Sequence, residues 1–274
     1  MVEKAPKTVL CIHDLSCLGR AGLSAVVPVL AVSGVQAIAL PTAVLSSHTG
    51  GLGTPAAMQS DDYGAAALEQ YKELGLGFDA IYSGYLSRPE QARLVEKAHE
   101  YWPEAFLLVD PVLGDGGRLY SGVTDATVSA MRHLCSLADL AVPNLTEAAF
   151  LLGRSVEIPA DQAGAIALAG AVKDATGAKA AVVTGIDIGR YVFCAGAARD
   201  NFAVRRLRIE RSYPGTGDLF ASVLLSRLCI GNALSAAVDA AAAFVAECIS
   251  ATPADADSRL GVWFEPRLWQ LAAR

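Results

Sequence analysis

Short apolar runs alternate along the chain with longer segments in which apolar residues recur every three to four positions. The runs at 8–13, 36–45, 80–83, 106–110, 140–142 and 180–184 predict strands, and amphipathic helical patterns lie between most of them. Repeated strand and helix units predict an α/β fold, a three-layer αβα sandwich around a mainly parallel central sheet. No Asp, Glu, Lys or Arg occurs between Arg20 and Asp61, so the stretch 23–45 has the hydropathy of a membrane span. Pro28, Gly34 and Pro41 divide it, which predicts a buried helix at 23–33 and a strand at 36–45 fully buried in a sheet covered on both faces.

The pattern changes after Gly185. Segments 191–195 and 202–210 predict a hairpin or antiparallel edge strands. Two alanine-rich helices follow at 217–230 and 233–250, turned by Gly231-Asn232, and a short helix at 265–272 closes the chain. No compositional seam interrupts this order, so 1–274 is expected to be a single domain.

Composition narrows the function. With 53% apolar residues the chain can bury a large core. A net charge of −6, with no basic cluster denser than Arg205-Arg206-Leu207-Arg208, argues against nucleic acid as a partner. That cluster reads as a solvated strand face. Six cysteines without a Cys-x-x-Cys pair read as scattered thiols in a reducing compartment. Cys11 and His13 share a strand face but have no third or fourth ligand nearby, which favours core packing over a metal site. The start, 1–7, precedes only a five-residue apolar run rather than a signal peptide, so a cytoplasmic protein with no membrane partner is expected.

Candidate chemistry begins with Pro214-Gly215-Thr216-Gly217-Asp218 ahead of the apolar run 219–225. Two glycines at a helix start let backbone N–H groups gather where the helix dipole favours an anion. Asp218 there is either a helix cap or a base that takes a proton from a hydroxyl attacking phosphorus. Other polar residues follow the strands, where open α/β sheets bind ligands. They are Asp14, Ser46-Ser47-His48-Thr49, Ser83-Gly84-Tyr85, Asp110 to Asp115, Pro143 to Glu147, and Thr184-Gly185. Asp110 and Asp115, five apart across a turn, can face one Mg²⁺ or form an ordinary polar loop. Asn144 and Glu147 fit a capping box, and the same side chains could hold a hydrated Mg²⁺ beside phosphate. His48, amid serines, threonine and glycines, suits contact with a small polar ring. His99 and His133 lie in helical patterns. No P-loop, protein-kinase signature set or acyl-transfer triad is present.

Taken in order, Ile12-His13-Asp14-Leu15-Ser16, the run from Pro41 to Thr49, Asp110-Pro111-Val112-Leu113-Gly114-Asp115, Pro143-Asn144-Leu145-Thr146-Glu147 and Gly215-Thr216-Gly217-Asp218 resemble the ribokinase-like superfamily, within it the pyridoxal and pyridoxamine kinases of vitamin B6 salvage. The resemblance spans nearly the whole chain. It implies that Asp218 deprotonates the substrate hydroxymethyl group and that Gly215, Thr216 and Gly217 stabilise the transferring phosphoryl. It further implies that Asp110, Asn144 and Glu147 organise Mg²⁺ and ATP, that Asp110 and Glu147 serve the metal, and that Asp115 and Thr184 lie at the nucleotide. Asp14, Ser47, His48, Thr49 and Tyr85 would line the pyridine pocket. Mg²⁺ with ATP, a monovalent cation such as K⁺, and a homodimer complete the expectation.

Two departures stand out. Asp14 occupies a position where many relatives carry Ser, which points to an aminated ring. Val142 stands where relatives often carry Thr. The same motifs also suit a hydroxymethylpyrimidine kinase of thiamin synthesis, although those enzymes commonly resemble Gly-Thr-Gly-Cys where this chain has Asp218. A catalytically silent binder on the same fold is the third reading. Helix follows Asp14 within about ten residues, which leaves no room for the strand-built lid of sugar kinases.

Overall fold

The computed structural model describes residues 5–59 and 61–272, so the reading of Met1 to Lys4 lies outside the described residues. Nine strands form one sheet in the order β11-β10-β9-β8-β5-β4-β1-β2-β3. They are β1 (Lys7–Leu18), β2 (Val35–Ser47), β3 (Ala57–Gln59), β4 (Ala80–Ser83), β5 (Phe106–Val109), β8 (Leu140–Ala141), β9 (Ala181–Ile188), β10 (Tyr191–Ala197) and β11 (Phe202–Leu207). A separate two-stranded ribbon pairs β6 (Gly114–Asp115) with β7 (Arg118–Leu119). The strands from β2 through β1, β4, β5 and β8 to β9 run parallel, while β3, β10 and β11 add antiparallel edges. This is the mainly parallel, helix-flanked sheet expected from the alternation, with 191–197 and 202–207 as the expected antiparallel pair.

The helices are α1 (Leu23–Val32), α2 (Asp61–Glu73), α3 (Ala92–Tyr101), α4 (Asp125–Leu137), α5 (Leu145–Leu152), α6 (Gln162–Thr176), α7 (Thr216–Cys229) and α8 (Leu234–Ala251). One apolar cluster joins one side of the central strands to α1, α7 and α8 through Val26, Leu224, Ala241 and Phe244. Another joins the opposite side to α3 and α4 through Leu107, Val95 and Leu134. Successive strand residues point to opposite faces, so Leu107 and Leu108 serve different layers. Helix α8 has the length and hydropathy of a membrane span, yet its Ala237, Val238, Ala241, Phe244 and Cys248 face is buried in this core.

Three expectations are corrected. Strand β1 does not stop at His13 but continues to Leu18, paired with β2 as far as Ser47, so Ser46 and Ser47 belong to a strand rather than a loop. Strand β2 is not fully buried, because β3 pairs only with Ala43 to Leu45; Gln36 and Ala39, farther from that cover, are exposed. The closing segment Glu265–Leu271 is a 3₁₀ helix. The β6–β7 ribbon and β3 are too short to leave a periodic signal.

The basic cluster is a strand face tied to local partners. Arg206 pairs with Asp239 at 2.8 Å, Arg208 lies 3.3 Å from Asp187, and Arg205 sits over the Tyr191 ring.

Leu108 is fully buried at the centre of the sheet. Leu108→Ala is expected to lower unfolding free energy by about 2–5 kcal/mol in urea denaturation, the range for a deleted core leucine. A loss below about 1 kcal/mol would contradict this account of the core.

Candidate active site

The site forms where the middle of β1 and the carboxyl ends of β4 and β5 meet the first turn of α7. A register shift between His13 and Leu15 interrupts the pairing of β1 with β2 at Asp14. Across the sheet, β4 ends at Ser83 and the chain passes through Gly84. A Cβ at Gly84 would stand 1.8 Å from His13 Cδ2, so the missing side chain makes room for the imidazole.

Gly215 opens α7 in the left-handed conformation, φ 80°. Its Cα packs on the backbone, where an added Cβ would lie 1.8 Å from the Arg20 carbonyl oxygen, whereas a Cβ on Gly217 would enter open space. The Gly215 requirement is therefore steric, and Gly217 leaves the helix start accessible. The N–H groups of Thr216, Gly217 and Asp218 have no intrahelical acceptor by position. The Thr216 hydroxyl donates to the Tyr213 carbonyl at 3.1 Å. Asp218 does not cap the helix. Its Oδ2 accepts the Gly22 N–H at 2.8 Å, and its Oδ1 lies 3.0 Å from His13 Nε2.

On the other ring edge, His13 Nδ1 lies 2.9 Å from Asp14 Oδ1, and the Ser16 hydroxyl donates to Asp14 Oδ2 at 2.6 Å. Gly22 closes over this group, since a Cβ there would stand 2.7 Å from Asp14 Oδ1. Burial opposes charge on the ring, but Asp218, together with the ring's hydrogen bonds to both carboxylates, lifts the His13 pKa to about 10. Burial likewise opposes ionisation of Asp14, and His13 outweighs it to hold that carboxyl below its usual range.

A second acidic group adjoins the first. Asp110 follows β5 and is buried, with the Tyr82 hydroxyl 3.4 Å away. Glu147 and Asn144 form the expected capping box at α5. The Asn144 side chain accepts the Glu147 N–H at 2.9 Å, and Glu147 accepts the Asn144 N–H at 2.8 Å. The other Glu147 oxygen accepts the Leu113 N–H at 3.0 Å, and Asn144 Nδ2 donates to the Gly114 carbonyl. Burial raises both acids, with the Asp218 charge adding to the shift of Asp110 and the Asp110 charge adding to that of Glu147. Thr184 joins this group through its N–H to the Pro143 carbonyl and a bridge to Asn144. Asp115 does not: it is exposed in β6, and its carboxylate accepts the Gly116 N–H.

A cavity of about 110 Å³ opens beside the His13, Asp14 and Asp218 group, of the order of the cavities that take one aromatic ring. Asp14, His48, Thr49, Tyr85, Gly215 and Asp218 line it, while Ser47, buried at the end of β2, does not. His48 presents no free ring nitrogen. Nδ1 accepts the Gly50 N–H at 3.0 Å, and Nε2 donates to the Arg259 carbonyl at 2.6 Å. That ring ties the 48–50 loop to the segment before Gly261.

Two lining residues escaped the sequence reading. His13 looked like a core residue, and it is buried, yet both its nitrogens face carboxylates. The adjacent Asp14 was the available signal. Tyr120 lines the cavity from the loop after β7, where burial and Glu147 hold its phenol above the usual range. Nothing in its local pattern marked it.

Comparison with known proteins follows the same lines. The family model described as phosphomethylpyrimidine kinase matches residues 17–262. A pyridoxal kinase of Pseudomonas savastanoi pv. phaseolicola is 31% identical over 268 residues, covering 89% of this chain and 88% of that protein. A Bacteroides thetaiotaomicron protein assigned to the phosphomethylpyrimidine kinases and crystallised with pyridoxal superposes with a TM-score of 0.91 at 33% identity, over 97% of this chain and 96% of that one. The Leishmania donovani pyridoxal kinase in complex with ADP and pyridoxamine gives 0.85 at 26% identity, over 97% and 95%. This chain belongs to the phosphomethylpyrimidine kinase family, in the pyridoxal kinase branch of the ribokinase-like superfamily.

Proposed function

We propose that this protein uses ATP to phosphorylate the 5'-hydroxymethyl group of a vitamin B6 vitamer, with 1–274 acting as one kinase domain. The observation that carries the reading is the Asp218 carboxylate, buried at the first turn of α7 and lining a cavity sized for one ring. Each carboxylate oxygen has two lone pairs, so Asp218 can accept a substrate hydroxyl while keeping its contacts to Gly22 and His13. The hydroxyl proton passes to Asp218, the oxygen attacks the γ-phosphorus of ATP, and ADP departs. The free N–H groups at the start of α7, beside the open space at Gly217, suit the oxygens of the transferring phosphoryl.

Asp110 and Glu147 are the residues that would hold Mg²⁺. Among the described residues no three acidic, His or Cys side chains form a ready metal cage, but Mg²⁺ commonly takes one or two carboxylates and completes its shell with water and phosphate oxygens. Two buried, mutually repelling carboxyls fit that demand. When bound there, the ion would supply positive charge against the phosphates. The Asn144 side chain keeps Glu147 aligned, and Thr184 extends the same edge toward the nucleotide. K⁺ belongs to the same reading by resemblance.

The choice of ring favours B6. The family description names a pyrimidine, but the relatives at 31% and 26% identity are pyridoxal kinases and the Bacteroides crystals hold pyridoxal. A homodimer in the cytoplasm completes the proposal; all six cysteines are free, in keeping with a reducing compartment.

Asp218→Ala should reduce ADP release with MgATP and pyridoxal by about 10²–10⁴-fold, the usual contribution of a positioned base. Full turnover in that variant would refute the assignment. Asp14→Ser should lower kcat/KM for pyridoxamine more than for pyridoxal, because the ionised Asp14 favours a cationic substrate group. An unchanged ratio of the two would remove Asp14 from selectivity.

A further inference from the structure

We infer that His13 is a permanently doubly protonated imidazolium that positions the base, donating to Asp14 and Asp218 from opposite edges of one ring. The inference rests on Asp218 being the base, and it deepens that reading.

The argument starts from geometry. Nδ1 is 2.9 Å from Asp14 Oδ1 and Nε2 is 3.0 Å from Asp218 Oδ1. A neutral imidazole has one N–H, so one of these contacts would set two lone pairs against each other in a buried site. Two N–H groups remove the conflict. Placing the second proton on a carboxyl oxygen instead would put it on the weaker base, since carboxylates ordinarily titrate more than two units below imidazole.

One contact competes. The Asp14 amide nitrogen is also 2.9 Å from Nδ1, and an N–H donating there would require an unprotonated nitrogen. The two contacts exclude each other. Leaving a buried carboxylate without its partner costs more than leaving one amide, so the proton stays on Nδ1.

The surroundings agree. His13 is 2% exposed, Tyr82 meets its ring edge-on at 5.7 Å, and Gly84 contributes no side chain. The ionisable groups bearing on the ring are Asp14 and Asp218 in contact and Asp110 through space, with Tyr82 neutral beside it. Two carboxyls thus hold one cation with a third acting through space, and among the described residues no Lys or Arg is a partner of the ring.

The function of such a cation is specific. An approaching triphosphate would drive a buried carboxylate toward its protonated, inactive form, and a fixed positive charge on the far side of Asp218 opposes that. The ring keeps both its protons throughout; the substrate proton goes to Asp218, not to His13. Because the same ring also holds Asp14, the charge offered to the substrate and the charge of the base are set by one residue.

Two measurements test this. In the folded wild-type protein at pH 8, ¹⁵N NMR should show both ring nitrogens of His13 protonated, with the resonances assigned by elimination using His48→Gln, His99→Gln and His133→Gln. A neutral His13 ring at pH 8 would overturn the inference. In His13→Gln, which can still donate a hydrogen bond but carries no charge, the acid limb of the kcat/KM profile for pyridoxal should move up by about 1–3 pH units. A uniform loss of rate with an unmoved limb would leave His13 a packing residue and overturn the inference. The ring state is read without turnover, so a failure of Asp218 as base, seen in Asp218→Ala, is separable from a failure of His13 as cation.

Discussion

The rest of the site depends on one constraint: several carboxylates must stay close together out of water at one edge of a parallel sheet. Asp14, Asp110, Glu147 and Asp218 are all buried. Unbalanced, such charges would either protonate or push the elements apart. The chain balances them with the few donors the fold can place there. The Gly22 amide and His13 serve Asp218, His13 and Ser16 serve Asp14, and the capping box serves Glu147. Among the described residues Asp110 has only a long contact from Tyr82, which makes it the carboxyl with most to gain from a cation.

These donors explain local features that look unrelated in sequence. Gly22 must be glycine because its amide reaches Asp218 while its Cα lies against Asp14. Gly84 must be glycine because the His13 ring occupies the volume of its side chain. Gly215 turns the chain under the Arg20 carbonyl so that α7 starts at the cavity. Three glycines on three connections therefore serve one cluster, and folding of the α1 and α7 entries and the β4 exit is coupled to the chemistry they surround. Most of this was invisible to periodicity, since a glycine's partner is set by tertiary approach rather than by its neighbours in the chain.

The parallel sheet, its antiparallel edge and the polar residues at strand ends were legible because each leaves a local signature. Apolar runs marked β4 and β5, the capping-box spacing marked α5, and Gly215 with Gly217 marked the start of α7. What escaped depended on long-range contact. Strand β1 runs on to Leu18 because β2 runs beside it, so the loop expected at Ser46-Ser47 became strand. His48 was read as a ligand contact from its polar neighbours, yet its ring nitrogens meet the Gly50 amide and the distant Arg259 carbonyl. Asp110 and Asp115 looked like a pair by spacing, but the β6–β7 ribbon turns Asp115 outward. His13 was placed correctly in the core and missed as an ionic centre, because one of its partners lies 205 residues away.

The central claim is that Asp218 and the cavity beside it transfer the γ-phosphoryl of ATP to the hydroxymethyl group of a pyridine ring. The most direct test is to incubate the purified protein with MgATP and equimolar pyridoxal and hydroxymethylpyrimidine, and to follow the products by ³¹P NMR. The account predicts a phosphomonoester resonance matching pyridoxal 5'-phosphate, growing in step with ADP. A phosphorylated pyrimidine with no phosphorylated pyridoxal, or no phosphomonoester at all, would contradict it.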